Sequence, residues 1–303
     1  MTELLSIFAN NLLPILLVAG AGYLLGKLLH VDPRPIGKII FHILIPVMVA
    51  DLLTRNQLSV DDILRTAGFT ILILVISGAI AVVAGKVLKL KRPILMAVLL
   101  TTIFANVGNY GLPLISFAYG EDALSFASIY YIIIAFLVNT VGVLITSMGK
   151  LSFKEGLLGM LKVPSIYAII AAVILIKTGY QLPAPLERTI TLLSSAAIPS
   201  MLILLGLQLQ HAEWNKNIKA ISLAVVLRLI IGPIVGFVVT GLLGMKGSAR
   251  QAGIVDSAMP TAVMTTILAS EYELEPQLIT SIVFITTILS PLTLTPILLF
   301  IGS

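Results

Sequence analysis

The chain has 303 residues, of which 58% are hydrophobic and 11% charged, and its mean hydropathy is +1.09. Soluble domains carry about 25% charged residues, so this chain cannot clothe a water-facing surface and reads as an integral membrane protein. It has no cysteine and three scattered histidines, which excludes disulfide scaffolds, thiolate metal sites and cysteine nucleophiles and leaves no metal site in view. The net charge of +5 comes from bases lying between apolar segments, so it sets membrane orientation rather than binding nucleic acid.

The apolar runs are long and continuous, unlike the alternating strands of a membrane barrel. They predict ten helices, at about 4–29, 35–54, 62–85, 93–119, 122–147, 163–178, 185–209, 217–243, 248–270 and 276–300. Short connections leave no room for an extramembrane domain. The first run, Leu4 to Gly26, is uncharged and has no basic segment before it, so it reads as a span and not as a cleaved signal peptide. In the second, His42 reads as packed and Asp51 as reaching the interface. Asp61, Asp62 and Arg65 open the third.

The fourth segment reads TTIFANVGNYGLPLISFAYG. Gly108, Gly111 and Pro113 crowd its centre beside Asn106, Asn109 and Tyr110. Glycine costs about 1 kcal/mol and proline about 3 kcal/mol inside a helix. That cluster, with two asparagines at bilayer depth, predicts a broken helix. Asn139 is polar at the middle of the fifth segment and is a weaker cavity candidate, since asparagine also serves as glue between membrane helices.

Residues 148–162 form a basic connector in which leucines alternate with Lys150, Lys154 and Lys162. The pattern suits an interfacial helix or a plain linker, and both readings stand. In the eighth segment Arg228 lies about ten residues deep. The ninth reads QAGIVDSAMPTAVMTTILAS, with Asp256 just before a central Pro260 and Thr261 just after it. Pro260 removes a backbone donor and predicts a second break. Ionisable residues at that depth are functional candidates by default. Arg228 is expected either to pair with Asp256 or to attract an anion. Asp256 is also a candidate for proton uptake, and a structural Arg228–Asp256 pair is the plainer reading. Trp214 and most tyrosines fit an interfacial belt.

Basic residues on alternate connections divide twelve against six, which places both termini outside the cytoplasm. An internal repeat is visible at an offset of 150 residues: Pro14 falls on Pro164, Pro33 on Pro183, Pro35 on Pro185, Asn106 on Asp256 and Glu121 on Glu271. Each copy (1–147 and 163–303) then holds five helices, an odd number, so the second enters the membrane inverted. Inverted repeats with two broken helices belong to secondary transporters, whose substrate sits at the repeat interface. Half-helix N-termini at such breaks favour anions.

NVGNYGLPL, SAMPTAVMTTILASEY and the five-plus-five layout resemble the auxin efflux carrier family, over the whole chain and in its short bacterial form. That family includes the plant PIN-formed carriers and bacterial relatives linked to dicarboxylates such as malate and malonate. The resemblance implies an all-α fold like that of sodium/proton antiporters and bile-acid symporters, with two crossed broken helices. It maps the crossovers onto Asn109 to Pro113 and onto Ala258 to Thr261, which adds Met259. It implies a scaffold of the first, second, sixth and seventh helices, a mobile part made of the rest, and a homodimer.

The expected function is carriage of a small organic anion across a cell membrane by elevator-type alternating access. A cation/proton antiporter or sodium symporter of the same architecture is the alternative. Such antiporters pair acidic groups at the crossover, and here Asp256 stands alone. No nucleophile elbow, zinc motif or nucleotide loop is present, so neither an enzyme nor an ATP-driven pump is expected, and no cofactor.

Overall fold

The computed structural model describes residues 2–56, 58–147, 164–210 and 215–302. The 148–162 connector and Trp214 lie outside the described residues. In chain order the helices are α1 (Glu3–Leu29), α2 (Pro33–Arg55), α3 (Asp61–Val87), α4 (Arg92–Ile103), α5 (Val107–Thr146), α6 (Pro164–Thr178), α7 (Ala184–Leu209), α8 (Ile218–Leu242), α9 (Gly247–Ala258), α10 (Met264–Glu271) and α11 (Pro276–Ile301). Seven of them, α1, α2, α3, α5, α7, α8 and α11, are long and apolar enough to cross a membrane. Leu17, Leu28, Val87, Leu192, Leu242, Leu292 and Phe300 lie exposed on the outside of the bundle. Water would penalise such a surface, whereas lipid accepts it. The protein is an all-helical, multi-pass membrane protein.

Local sequence explains the helix ends. Asp32 accepts a hydrogen bond from the Arg34 amide at 3.0 Å and Pro33 opens the first turn of α2. Ser59 caps α3 through the Asp62 amide at 3.1 Å, and Asn217 caps α8 through the Ala220 amide. Within α5, Gly120 takes φ 75° and ψ −163°. A side chain can scarcely adopt that conformation, so the forty-residue helix turns there.

The helices pack in two groups. One contains α1, α2, α6 and α7; the other contains α3, α4, α5 and α8 to α11. In the first group α1 and α7 approach so closely that a Cβ on Gly206 would lie 1.8 Å from the Ala19 carbonyl oxygen, and one on Gly22 would lie 2.3 Å from that of Ile203. Between membrane helices, close packing of small residues replaces the missing hydrophobic drive. The groups meet where α7 lies against the first turn of α5, with α2 against α5 and α1 against α11 nearby.

Candidate functional site

Two chain interruptions meet in the second group. α4 ends at Ile103, and Phe104 is extended at φ −99°, ψ 103°. The break therefore falls at residues 104–106. Asn109 to Pro113, where the resemblance placed it, are already helical: a wide π turn over Val107–Gly111 leads straight on from Leu112. The second interruption follows Ala258, with Met259 extended at φ −61°, ψ 148°. The two extended pieces run antiparallel. The Asn106 amide donates to the Pro260 carbonyl at 2.7 Å, and the Ala262 amide to the Phe104 carbonyl at 2.9 Å. The Thr261 hydroxyl donates to the Thr101 carbonyl at 2.9 Å, and the Thr286 hydroxyl oxygen accepts from the Thr261 amide at 3.2 Å. Backbone at this depth is tolerated only when protein satisfies it, and each break supplies part of the other's hydrogen bonding.

Four helix ends converge there. The C-termini of α4 and α9 present carbonyls, and the N-termini of α5 and α10 present amides. Arg228, buried in a π turn of α8, lies among the carbonyls. Its Nε donates to Met259 O at 2.8 Å, its Nη1 to Thr102 O at 2.6 Å and its Nη2 to Ser257 O. One guanidinium thus binds the ends of both broken helices. Among the described residues the only ion pairs are Arg55–Asp51 and Arg65–Asp61, each at 2.8 Å. The expected direct Arg228–Asp256 pair is absent: the fork of Arg228 is taken up by backbone.

Asp256 is 0% exposed, and neither carboxylate oxygen has a hydrogen-bond partner among the described residues. Oδ1 would lie 2.9 Å from a Cβ at Gly111, which sets the carboxylate against the first turn of α5. Asn106 Nδ2 and Thr102 Oγ1 are likewise buried without partners.

The other candidates separate. Asn109 is the one residue of 101–115 that is not fully buried. Its Nδ2 donates to Gln208 Oε1 on α7 at 3.1 Å, across the seam between the two helix groups. Sequence reasoning missed Gln208; its signal was a polar residue near the end of an apolar helix. Tyr110 is buried, and its oxygen accepts from the Ser290 hydroxyl on α11 at 3.3 Å. Gly108 makes room for Tyr131, whose ring would lie 2.9 Å from an added Cβ. Pro113 is buried where the π turn passes into the straight part of α5. Asn139 bonds back to the Ala135 carbonyl at 2.7 Å, within its own helix.

The membrane transport protein family model matches residues 7–156 and 148–298. The chain belongs to the auxin efflux carrier family of membrane transport proteins. An uncharacterized transporter of Methanocaldococcus jannaschii is 28% identical over 91% of this chain and 93% of its own length. One from Methanothermobacter thermautotrophicus is 25% identical over 93% of this chain and 94% of its own. Auxin efflux carrier component 1 of Arabidopsis thaliana is 27% identical over 43% of this chain and 21% of its own length. These relatives are named as transporters or carriers.

Proposed function

We propose that this family member carries a small organic anion by alternating access, with the anion bound at the seam between Asn109 and Gln208. The observation that carries this reading is the Asn109–Gln208 hydrogen bond, since it is a side-chain polar link between the two helix groups. A carboxylate there would accept from both amide groups and lie near the N-terminus of α5, where helix partial charge favours an anion. Residues 252–263 are all buried, which supports a crossing shielded from solvent. Opening it means moving the crossed segments against α1, α2 and α7, a rigid-body step of the elevator kind.

The same reading takes the chain as ten spans in two inverted repeats, 1–147 and 163–303, joined by the 148–162 linker. It sits in the cell membrane with both termini outside. Asn106, Met259, Pro260 and Thr261 shape the crossing, Gly108, Gly111 and Pro113 let the first turn of α5 approach it, and Arg228 holds it. Tyr110 and Asn139 support from neighbouring positions. A cation/proton antiporter is the second reading, favoured by the unpartnered carboxylate of Asp256.

The test is counterflow in proteoliposomes with labelled malate, malonate, succinate, lactate, indole-3-acetate and benzoate, alongside thermal melting with each. A ligand at one hundred times its dissociation constant adds about 2.7 kcal/mol of stability. Counterflow of one acid, weakened by Asn109→Ala and by Gln208→Ala, supports the proposal. No counterflow and no melting shift with any acid, together with a shift on adding sodium, sinks it in favour of the antiporter.

A further inference from the structure

A second feature lies at the end of the bundle where α3 begins, α5 turns at Gly120, and α8 passes into α9. A cavity of about 500 Å³ opens there, lined by Asp62, Arg65, Thr66, Asp122, Phe126 and Lys246 among others. By the basic-residue count this is the extracytoplasmic end. The cavity wall is polar where the rest of the bundle is apolar. Asp62 and Arg65 already have partners, Ser59 and Asp61. Thr66 does not: it is 4% exposed, and its Oγ1 has no hydrogen-bond partner.

The helices that form this cavity lead to Asp256. Ala249 lines it, and Asp256 lies two turns further along α9, about 10 Å by helix rise. Thr70, one turn below Thr66 on α3, donates to the Thr66 carbonyl at 2.7 Å. Tyr130, one turn below Phe126 on α5, lies within electrostatic reach of Asp256 and Arg228. A single apolar layer intervenes. The Phe69 ring packs on the Tyr130 ring with centroids 5.9 Å apart, and it fills the space beside Gly253, where an added Cβ would be 3.1 Å from its carbons.

We propose that Asp256 is a proton-binding site loaded from this cavity, with the Phe69–Tyr130 pair as the barrier between them. This deepens the carrier reading and rests on it: a proton would be the ion that couples anion movement to a gradient. An ionised carboxylate without a donor is costly at that depth, and a bound proton removes the charge. The groups around Asp256 leave it that role. Arg228 on α8 is committed to three carbonyls. From α5 come Tyr130 and, in its first turn, Tyr110, which is bonded to Ser290. α11 carries no ionisable side chain, and the charged residues of α3 lie at its ends.

The test is infrared difference spectroscopy of the purified full-length protein in lipid, in sodium-free buffer. Carboxyl groups in water are ionised at neutral pH, so a carboxylic-acid carbonyl band there reports a shielded site. The proposal expects such a band, absent in Asp256→Asn and displaced in Asp256→Glu, which serves should the asparagine variant not fold. It also expects the band to move on exchange into D2O, several-fold more slowly in Thr66→Phe, which fills the cavity floor. No band down to about pH 5, where carboxyl groups in water begin to protonate, overturns the proton site. A band abolished by sodium and not by potassium overturns it in favour of a cation site. Unchanged exchange in Thr66→Phe overturns the route. Counterflow on the same samples separates the two readings: exchange of a carboxylate with no band leaves the carrier and removes the proton site, and a band with no exchange does the reverse.

Discussion

Replacing Arg228 by leucine tests whether it serves the fold or the substrate. The guanidinium makes three hydrogen bonds to buried carbonyls that terminate α4 and α9. Hydrogen bonds to charged groups contribute about 1.5–3 kcal/mol each, and a carbonyl left bare costs about 1–3 kcal/mol. Leucine escapes the desolvation of a buried cation, which offsets part of that loss. The net expectation is the range seen on breaking buried charge contacts, about 3–5 kcal/mol. That is a large share of a typical stability of about 5–15 kcal/mol, and at roughly 2–4 °C per kcal/mol it lowers the melting point by on the order of 10 °C. Arg228→Lys should fall between, because an ammonium is a compact charge that cannot reproduce the fork. The assay is thermal denaturation in detergent, read by loss of monodisperse protein, with carboxylate binding measured on whatever stays folded. A leucine variant that melts within about 2 °C of wild type but no longer binds any anion would refute the structural reading and make Arg228 a substrate ligand.

Three further predictions use smaller changes. Gly206→Ala places a Cβ 1.8 Å from the Ala19 carbonyl oxygen and should cost about 1–3 kcal/mol by forcing α1 and α7 apart, measured by melting; Gly20→Ala, with nothing within 4 Å, is the control and should be neutral. Gly120→Ala should cost about 1–3 kcal/mol, since φ 75°, ψ −163° is open essentially to glycine alone; an unchanged melting point would mean that the turn there is not as described. Asn109→Ala and Gln208→Ala should each weaken carboxylate binding about tenfold, or about 1.4 kcal/mol, in titrations of the detergent-solubilised protein, and the double variant should lose little more because each already breaks the seam contact.

The bundle was largely legible because hydrocarbon imposes one rule, that a spanning segment be apolar and helical. Expected limits such as 35–54 fall within a residue or two of Pro33–Arg55. The breaks were legible as to segment and less so as to residue. In the ninth segment Pro260 sits in the interruption itself. In the fourth, the glycines and the proline follow it. Pro113 sits where the π turn passes into the straight part of α5, while Gly108 and Gly111 are small because Tyr131 and Asp256 lie against them. The interruption itself is Phe104, Ala105 and Asn106, of which only Asn106 carries a sign of a break. Depth alone singled out Arg228 and Asp256, but their partners could not be read from it. A guanidinium held by carbonyls from two distant segments leaves no trace in local spacing. Gln208 escaped for the same reason: its partner Asn109 is about a hundred residues away.

The polarity of the crossing ties these observations together. Two helices interrupted at mid-depth expose two carbonyl ends and two amide ends. The carbonyl ends meet a permanent cation, Arg228, fixed in α8. Among the described residues no ion-paired carboxylate meets the amide end of α5. Its neighbours are Asn109, Asn106 and the uncompensated carboxylate of Asp256. A carboxylate fixed against that end would hold it permanently, as Arg228 holds the other. One whose charge comes and goes leaves the positive end available to a passing anion in one protonation state and opposes that anion in the other. Under the proton site proposed above, charge is permanent at the carbonyl ends and variable at the amide end of α5, and that asymmetry depends on Asp256 lying against Gly111 while not being paired with Arg228.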